Sequence, residues 1–280
     1  MINHSEIPTS VNLGKNNSVT YGEINSRFYL SKHGQNLAEK IRYERYNLKD
    51  DEDIKFSNDE WVTLLGVDVD NFKHLSLTYG LTQVFIKYSG NEYTQEEQEN
   101  LLLAAIIHDW GEAKTNDVTH DEKSDSKEKE EMTALRQMAS DIFSDNPAIC
   151  SRINYVVDNI LKDPSSKLGQ AFNAIERLGY LRTGLRAWQM ESVIENKNKK
   201  DGIDWLVNNV LLNQIPTLIE YSEIYPPVKI YLENAQDIIT NAFEKLPDSM
   251  FNNYKTDLTE KRTKFADAKY KWQEYCYYMS

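Results

Sequence analysis

The 280 residues carry 32 Lys and Arg against 44 Asp and Glu, a formal charge of −12 at pH 7, with 40% hydrophobic and 11% aromatic side chains. There is enough apolar material for a sizeable core, while the acidic balance repels nucleic-acid phosphates over most of the surface, so no nucleic-acid partner is expected. The longest apolar block, Leu101–Ile107, is far too short to cross a bilayer, and only two cysteines occur, Cys150 and Cys276, which excludes membrane spanning, a disulfide framework and a thiolate zinc site.

The N-terminal stretch MINHSEIPTSVNLGKNNS has no basic-then-apolar pattern of a secretion signal, and the sparse cysteines fit a reducing cytoplasm, the expected location. Residues 1–25 are rich in Asn, Ser, Thr and Gly and read as a weakly ordered start. A helical pattern follows from Arg27 to Asn47, and Ser57 or Asn58 is placed to cap a helix through Trp61 to Leu65. Gly66 interrupts, and Asp70 or Asn71 opens the next helix, whose apolar residues recur at Phe72, Leu75, Leu77, Tyr79, Leu81, Val84 and Phe85. Thr94 and Glu97 form a capping-box pattern ahead of a helix through Ile107.

The charged run THDEKSDSKEKEE leads into a helix through Phe143 and reads as a solvated face with its approach loop. Asn146–Pro147 restarts a helix to about Leu161, Asp163–Pro164 ends it, and a long helix runs from Ser165 or Ser166 to about residue 195. ENKNKKDG, residues 195–202, is a plausible boundary, followed by helical patterns at 203–224, 228–245 and 256–279. Strand signals are scarce, and the whole chain is expected to be all-α. The organisation expected is a partly helical N-terminal extension (1–56), a core (57–195) and a C-terminal helical extension (196–280).

Chemistry concentrates in IIHDWGEAKTNDV, residues 106–118. His108 and Asp109 follow the apolar run Leu101–Ile107, so the pair is expected at the floor of the fold, where polar groups need partners. A divalent metal would satisfy both together. A core histidine bonded to a neighbouring carboxylate would do so without one, and the pair alone leaves both readings open. On a continuing helix His108, Asp109 and Glu112 project in neighbouring directions. Gly111 and the polar residues after it suggest a frayed end, which would let Asp117 curl back over the same pocket. His74 sits near the start of the preceding amphipathic helix, and antiparallel helices joined by a short loop bring their far ends together. His74 is therefore the first choice for a further ligand.

The order His74, then His108-Asp109, then a later acidic residue resembles the HD-domain metal-dependent phosphohydrolases. The strings HDWGEAKTND and SKEKEEMTAL are similar to the 5′-deoxynucleotidase branch, and the resemblance covers roughly residues 57–190. It implies an HD-domain helical bundle with additional N- and C-terminal helices. It also implies a divalent ion (Mn, Co, Mg, Zn or Fe) held by His74, His108, Asp109 and Glu176. Glu176, in AIERLGYLRTG, stands where the family places an aspartate, and its extra methylene moves the carboxylate; an ordinary surface acid is the other reading.

By the same resemblance Glu112 orients or deprotonates a water, and Asp117 protonates the leaving alkoxide or positions the nucleophile. Either can instead cap a segment or bond a histidine. Trp61 falls near where related nucleotidases place a residue against the nucleobase, with a core tryptophan as the alternative. Lys114 and Arg182, with Arg177 and Arg186, are candidates for the positive charge a phosphate needs. His4 and His33 read as bystanders, and His120, close after Asp117, as a solvated loop histidine, with a phosphate contact as the other reading.

The implied activity is 5′-dephosphorylation of (deoxy)nucleoside monophosphates, with a small nucleotide as partner. The same metal chemistry serves dNTP triphosphohydrolases and cyclic-nucleotide or alarmone hydrolases. Two other classes stand beside it: an HD-fold regulatory protein without turnover, and a helical interaction protein whose polar cluster is structural. A homodimer is expected by resemblance only, and the Tyr-rich YKWQEYCYY, residues 270–278, reads as a packing face.

Overall fold

The computed structural model describes residues 6–14, 17–43, 46, 55–115, 125–253 and 258–279. In chain order these form β1 (Ser10–Asn12), β2 (Ser18–Thr20), α1 (Tyr21–Leu30), α2 (Lys32–Ala38), α3 (Asn58–Leu65), α4 (Asn71–Tyr88), α5 (Gln95–Ile107), α6 (Glu112–Thr115), α7 (Asp125–Ile142), α8 (Pro147–Val156), α9 (Lys167–Met190), α10 (Lys197–Ser222), α11 (Pro226–Asn234), α12 (Gln236–Lys245) and α13 (Leu258–Met279). The fold is all-α, as the sequence indicated, with one two-stranded antiparallel sheet among the described residues. No described helix is long and apolar enough to cross a membrane. The chain divides into two compact units, Met1–Arg42 with Asp70–Ile175 and Tyr43–Val69 with Glu176–Ser280, so the division falls within α9.

In the first unit α5 is the central element. Thr94 and Glu97 close a reciprocal capping box at its start, and every residue from Gln98 to Ile107 is buried, as expected of a helix that is apolar on all sides over most of its length. Helices α1, α4 and α8 and strand β1 pack against it. The weakly ordered start expected from composition is corrected here. Val11 pairs with Val19 across the hairpin, both are buried, and the Asn12 backbone N–H donates to Glu99 Oε2 at 3.0 Å. Strands of three residues are too short to display alternation, and their order comes from docking on α5.

The expected helix from Arg27 to Asn47 also differs. It starts earlier, at Tyr21, and breaks at Ser31, whose hydroxyl accepts from Gly34 N and caps α2. After α2 the chain forms an isolated bridge between Ile41 and Asp70, and Asn71 N donates to the Lys40 carbonyl at 3.2 Å. These contacts lay Lys40, Ile41 and Arg42 along the start of α4.

In the second unit Ser57 and Glu60 form the capping box of α3, and Gly66 ends it at φ +64, a left-handed conformation that favours glycine. Helix α10 packs against α11, α13 and the single-turn segment Asp248–Asn253. Two tryptophan N–H groups of this unit reach acceptors: Trp272, buried, donates from Nε1 to Thr240 Oγ1 at 2.9 Å, and Trp188, half-buried, to Asn241 Oδ1 at 3.2 Å. The helical pattern read at 228–245 is two helices, α11 and α12, meeting at Ala235. Most of the ENKNKKDG segment, from Lys197 on, lies within the start of α10.

Asp204, on α10, is only 7% exposed. Burial, reinforced by the Glu191 and Asp201 carboxylates and opposed by Lys200, pushes its pKa from 3.8 up to about 7. Between those values the folded state keeps a proton that the unfolded chain has released. Its stabilising contribution is therefore complete at the acid end of that window and is lost as pH rises through about 7. Asp204→Asn should raise stability at pH 8 by on the order of 1 kcal/mol or more, and should flatten the decline between pH 4 and 7 in denaturant melts compared with wild type.

Candidate metal centre

The site belongs to the first unit and is built where α4 begins and α5 ends. Asp70 caps α4, accepting from Lys73 N through its side chain at 2.7 Å, which places His74 in the first turn. His108 is the C-cap of α5, its N–H still bonded to the Ala104 carbonyl at 3.0 Å. The chain then turns through Asp109 and Trp110 into the short helix α6. Trp110 is fully buried and stacks on Phe28, with centroids 4.2 Å apart and planes 3° from parallel. Gly111 lies so close to α7 that a Cβ there would meet the Glu131 carbonyl oxygen at 2.4 Å. The stacked indole below and the close backbone approach beside it hold the His108–Asp109 turn in place.

His74, His108 and Asp109 form a group whose possible ligand atoms all lie within 4.8 Å of one another. His108 Nε2 is 3.3 Å and His74 Nε2 3.7 Å from Asp109 Oδ2, and the two imidazoles meet edge to face at 5.2 Å. Donors that sit about 2.0–2.2 Å from an ion stand roughly 3–3.5 Å apart around it, so the spacing suits a divalent ion after small adjustment. Two imidazoles and one carboxylate are also a donor set that transition metals accept with positions left open for solvent or substrate.

The proton inventory of His108 points the same way. Its Nδ1 lies 3.1 Å from the Ala105 carbonyl, which can only accept, so Nδ1 carries the hydrogen. In a neutral ring Nε2 then presents a lone pair to a carboxylate oxygen. Two lone pairs at 3.3 Å call for a proton or a cation between them. A histidine whose second nitrogen donates to a backbone carbonyl is the usual setting of a metal ligand.

Burial opposes ionisation of Asp109, but the charge and hydrogen bond of His108, followed by His74 and Arg42, outweigh it and hold the carboxyl well below the ordinary carboxylate range. Asp109 is therefore anionic at neutral pH. The net result is a negative group, only partly exposed, that cations must compensate.

Glu112 is buried beside this turn. Its N–H bonds the Asp109 carbonyl at 3.0 Å, its Oε2 accepts from Asn71 Nδ2 at 2.7 Å, and its carbonyl accepts from Lys40 Nζ. Arg42, buried at 5% exposure, reaches His74 Nδ1 with Nη1 at 2.5 Å. Lys40, Arg42 and Asn71 were not singled out in the sequence. The Ile41–Asp70 bridge and the bond from Asn71 N to the Lys40 carbonyl bring the two cations to the site, and no spacing pattern announces them.

Of the residues singled out, the structure thus gathers His74, His108 and Asp109, with Glu112 hydrogen-bonded alongside. Asp117 lies outside the described residues, as does His120. Glu176 falls on the part of α9 that belongs to the second unit and is not one of the three residues of the group. Trp61 is buried in the second unit against Phe56, with ring centroids 4.5 Å apart. Lys114 projects from α6 and is exposed. Arg182 is on α9 in the second unit, with Nη1 buried and lacking a hydrogen-bond partner among the described residues. Compared with protein-family models, curated proteins and solved structures, the chain matches none.

Gly111→Ala should force α7 and the His108–Asp109 turn apart, at a cost of about 1–3 kcal/mol. A thermal melt should show the loss directly, and an unchanged melting temperature would mean that the close approach to Glu131 is not a constraint.

Proposed function

We propose that the chain is a metal-dependent phosphohydrolase of the HD type, and within that class an enzyme that removes the 5′-phosphate of a (deoxy)nucleoside monophosphate. The observation that carries the metal half is the convergence of His74, His108 and Asp109, with His108 Nε2 at 3.3 Å and His74 Nε2 at 3.7 Å from Asp109 Oδ2. The hydrolase half is supported by Glu112, a second carboxylate beside the donors that the three-residue group does not need. The nucleotide preference rests on the likeness of HDWGEAKTND to the 5′-deoxynucleotidase branch.

His74 and His108 through Nε2, and Asp109 through its carboxylate, would hold the ion. Such an ion acts as a Lewis acid on a phosphate oxygen and lowers the pKa of water. The protein groups supply orientation and proton handling. Asn71 fixes the Glu112 carboxylate by donating to Oε2, so that Glu112 can take the proton of an attacking water. Lys40 and Arg42 add positive charge on the side of the site lined by the start of α4, where a phosphate dianion would need it. Asp117 is proposed as the group that serves the leaving alkoxide.

Calorimetry on chelator-stripped protein should show one equivalent of Mn²⁺, Co²⁺ or Zn²⁺ binding, weakened at least tenfold in Asp109→Asn and in His108→Gln. Because an ion competes with protons for its ligands, affinity should fall on acidification.

A phosphate-release screen across nucleoside mono-, di- and triphosphates tests the reaction. Glu112→Gln should lower kcat by about 10²–10⁴ with little change in metal affinity, and Asp109→Ala should abolish turnover. Equal rates in wild type and Asp109→Ala with every substrate would sink the enzyme reading.

A further inference from the structure

The two histidines of the group differ in what holds the nitrogen turned away from Asp109. His108 Nδ1 meets a carbonyl, so its Nε2 is ready to donate a lone pair. His74 Nδ1 meets the Arg42 guanidinium at 2.5 Å. A guanidinium has only donors and keeps its charge, so His74 Nδ1 must be the acceptor. A neutral ring then carries its hydrogen on Nε2, the nitrogen that lies 3.7 Å from Asp109 Oδ2 and 3.4 Å from Thr78 Oγ1. In that tautomer Nε2 has no lone pair for an ion.

Arg42 is well placed for this role. It is buried, and the Ile41–Asp70 bridge and the bond from Asn71 N to the Lys40 carbonyl hold its segment to the first turn of α4. Its charge is also one of those that act on Asp109. It supplies in part the positive charge that the donor group requires.

We propose that Arg42 is a built-in competitor for the metal site: its hydrogen bond to His74 Nδ1 and a divalent ion on His74 Nε2 exclude each other. The proposal rests on the metal-centre reading above and adds how that centre is regulated. On loading, the His74 hydrogen at Nε2 is released to solvent and one is taken up at Nδ1, so no net proton is gained or lost by that ring. The Arg42 N–H can no longer point at Nδ1, and the guanidinium withdraws. Arg42 thereby sets the concentration of ion at which the site fills.

Zinc is the probe, because it is diamagnetic and lets both affinity and tautomer be read. In ion-free wild type, long-range ¹H–¹⁵N spectra should show His74 with its hydrogen on Nε2 and His108 with its hydrogen on Nδ1. Zinc should convert His74 to the Nδ1–H form. Arg42→Gln, whose amide oxygen can accept from Nδ1–H, should bind zinc at least tenfold more tightly in calorimetry. Arg42→Lys, still a donor-only cation, should stay near the wild-type affinity, which separates competition from general damage to the fold.

An ion-free His74 already protonated on Nδ1, or an Arg42→Gln affinity equal to or weaker than wild type, would overturn the proposal while leaving the metal centre standing. If wild type and Asp109→Asn both fail to bind zinc, the metal-centre reading falls and this proposal falls with it.

Discussion

Two buried imidazoles and a carboxylate crowd together at the end of an otherwise apolar helix, and the first unit is organised around keeping them there. His108 comes within 3.3 Å of Asp109, an approach that is repulsive between lone pairs and favourable only with positive charge between or beside them. The surrounding structure restricts how that charge can arrive. The Ala105 carbonyl orients one ring, the Arg42 guanidinium orients the other, and Trp110 stacked on Phe28 prevents the turn from relaxing into the core. Gly111 lets α7 close over the turn without a side chain in the way. Removing the polar group would leave these devices with nothing to hold, which is why they are better understood as support for a site than as core packing.

Much of this was legible in the sequence because it is local or periodic. The capping boxes at Ser57–Glu60 and Thr94–Glu97 are present in the structure, and the uninterrupted run Leu101–Ile107 is buried throughout. The union of His74 with His108 and Asp109 follows from two consecutive helices joined by a short loop, a contact between neighbours in the chain. What escaped the sequence was of two kinds. The hairpin of Ser10–Asn12 with Ser18–Thr20 has strands too short for a pattern, and its register is set by α5, far along the chain. The cations Lys40 and Arg42 reach the site through the bridge between Ile41 and Asp70 and the neighbouring bond from Asn71 N to the Lys40 carbonyl. No local rule marks such a pairing, since charged residues after a helix are more often solvated.

The units also show why composition is a poor guide to organisation in this chain. Each is assembled from two separate stretches of sequence, so a boundary drawn along the chain at a polar segment does not describe either. Helix α9 reads as one continuous pattern and is one helix, yet its first nine residues belong with the first unit and the remainder with the second. Periodicity reports local structure faithfully and is silent about which layer an element joins.

A last consequence concerns charge. The chain as a whole carries −12, and a phosphate monoester is itself doubly negative, so a phosphohydrolase reading must explain how they meet. Exposed charges more than about 8 Å away are largely screened at physiological salt, so the local balance decides. Within the site two carboxylates, Glu112 and Asp109, stand with two cations: Lys40 donates to the Glu112 carbonyl, and Arg42, after the imidazoles of His108 and His74, acts on the Asp109 carboxylate. A divalent ion added to the Asp109 carboxylate leaves a net positive centre, and the guanidinium it displaces remains tethered nearby through Ile41 and Asp70. In the proposed scheme the site is close to neutral until the ion arrives and becomes attractive to an anion only afterwards. The acidic surface then serves to keep phosphates from settling elsewhere, and the order of binding follows from electrostatics without any larger movement of the fold.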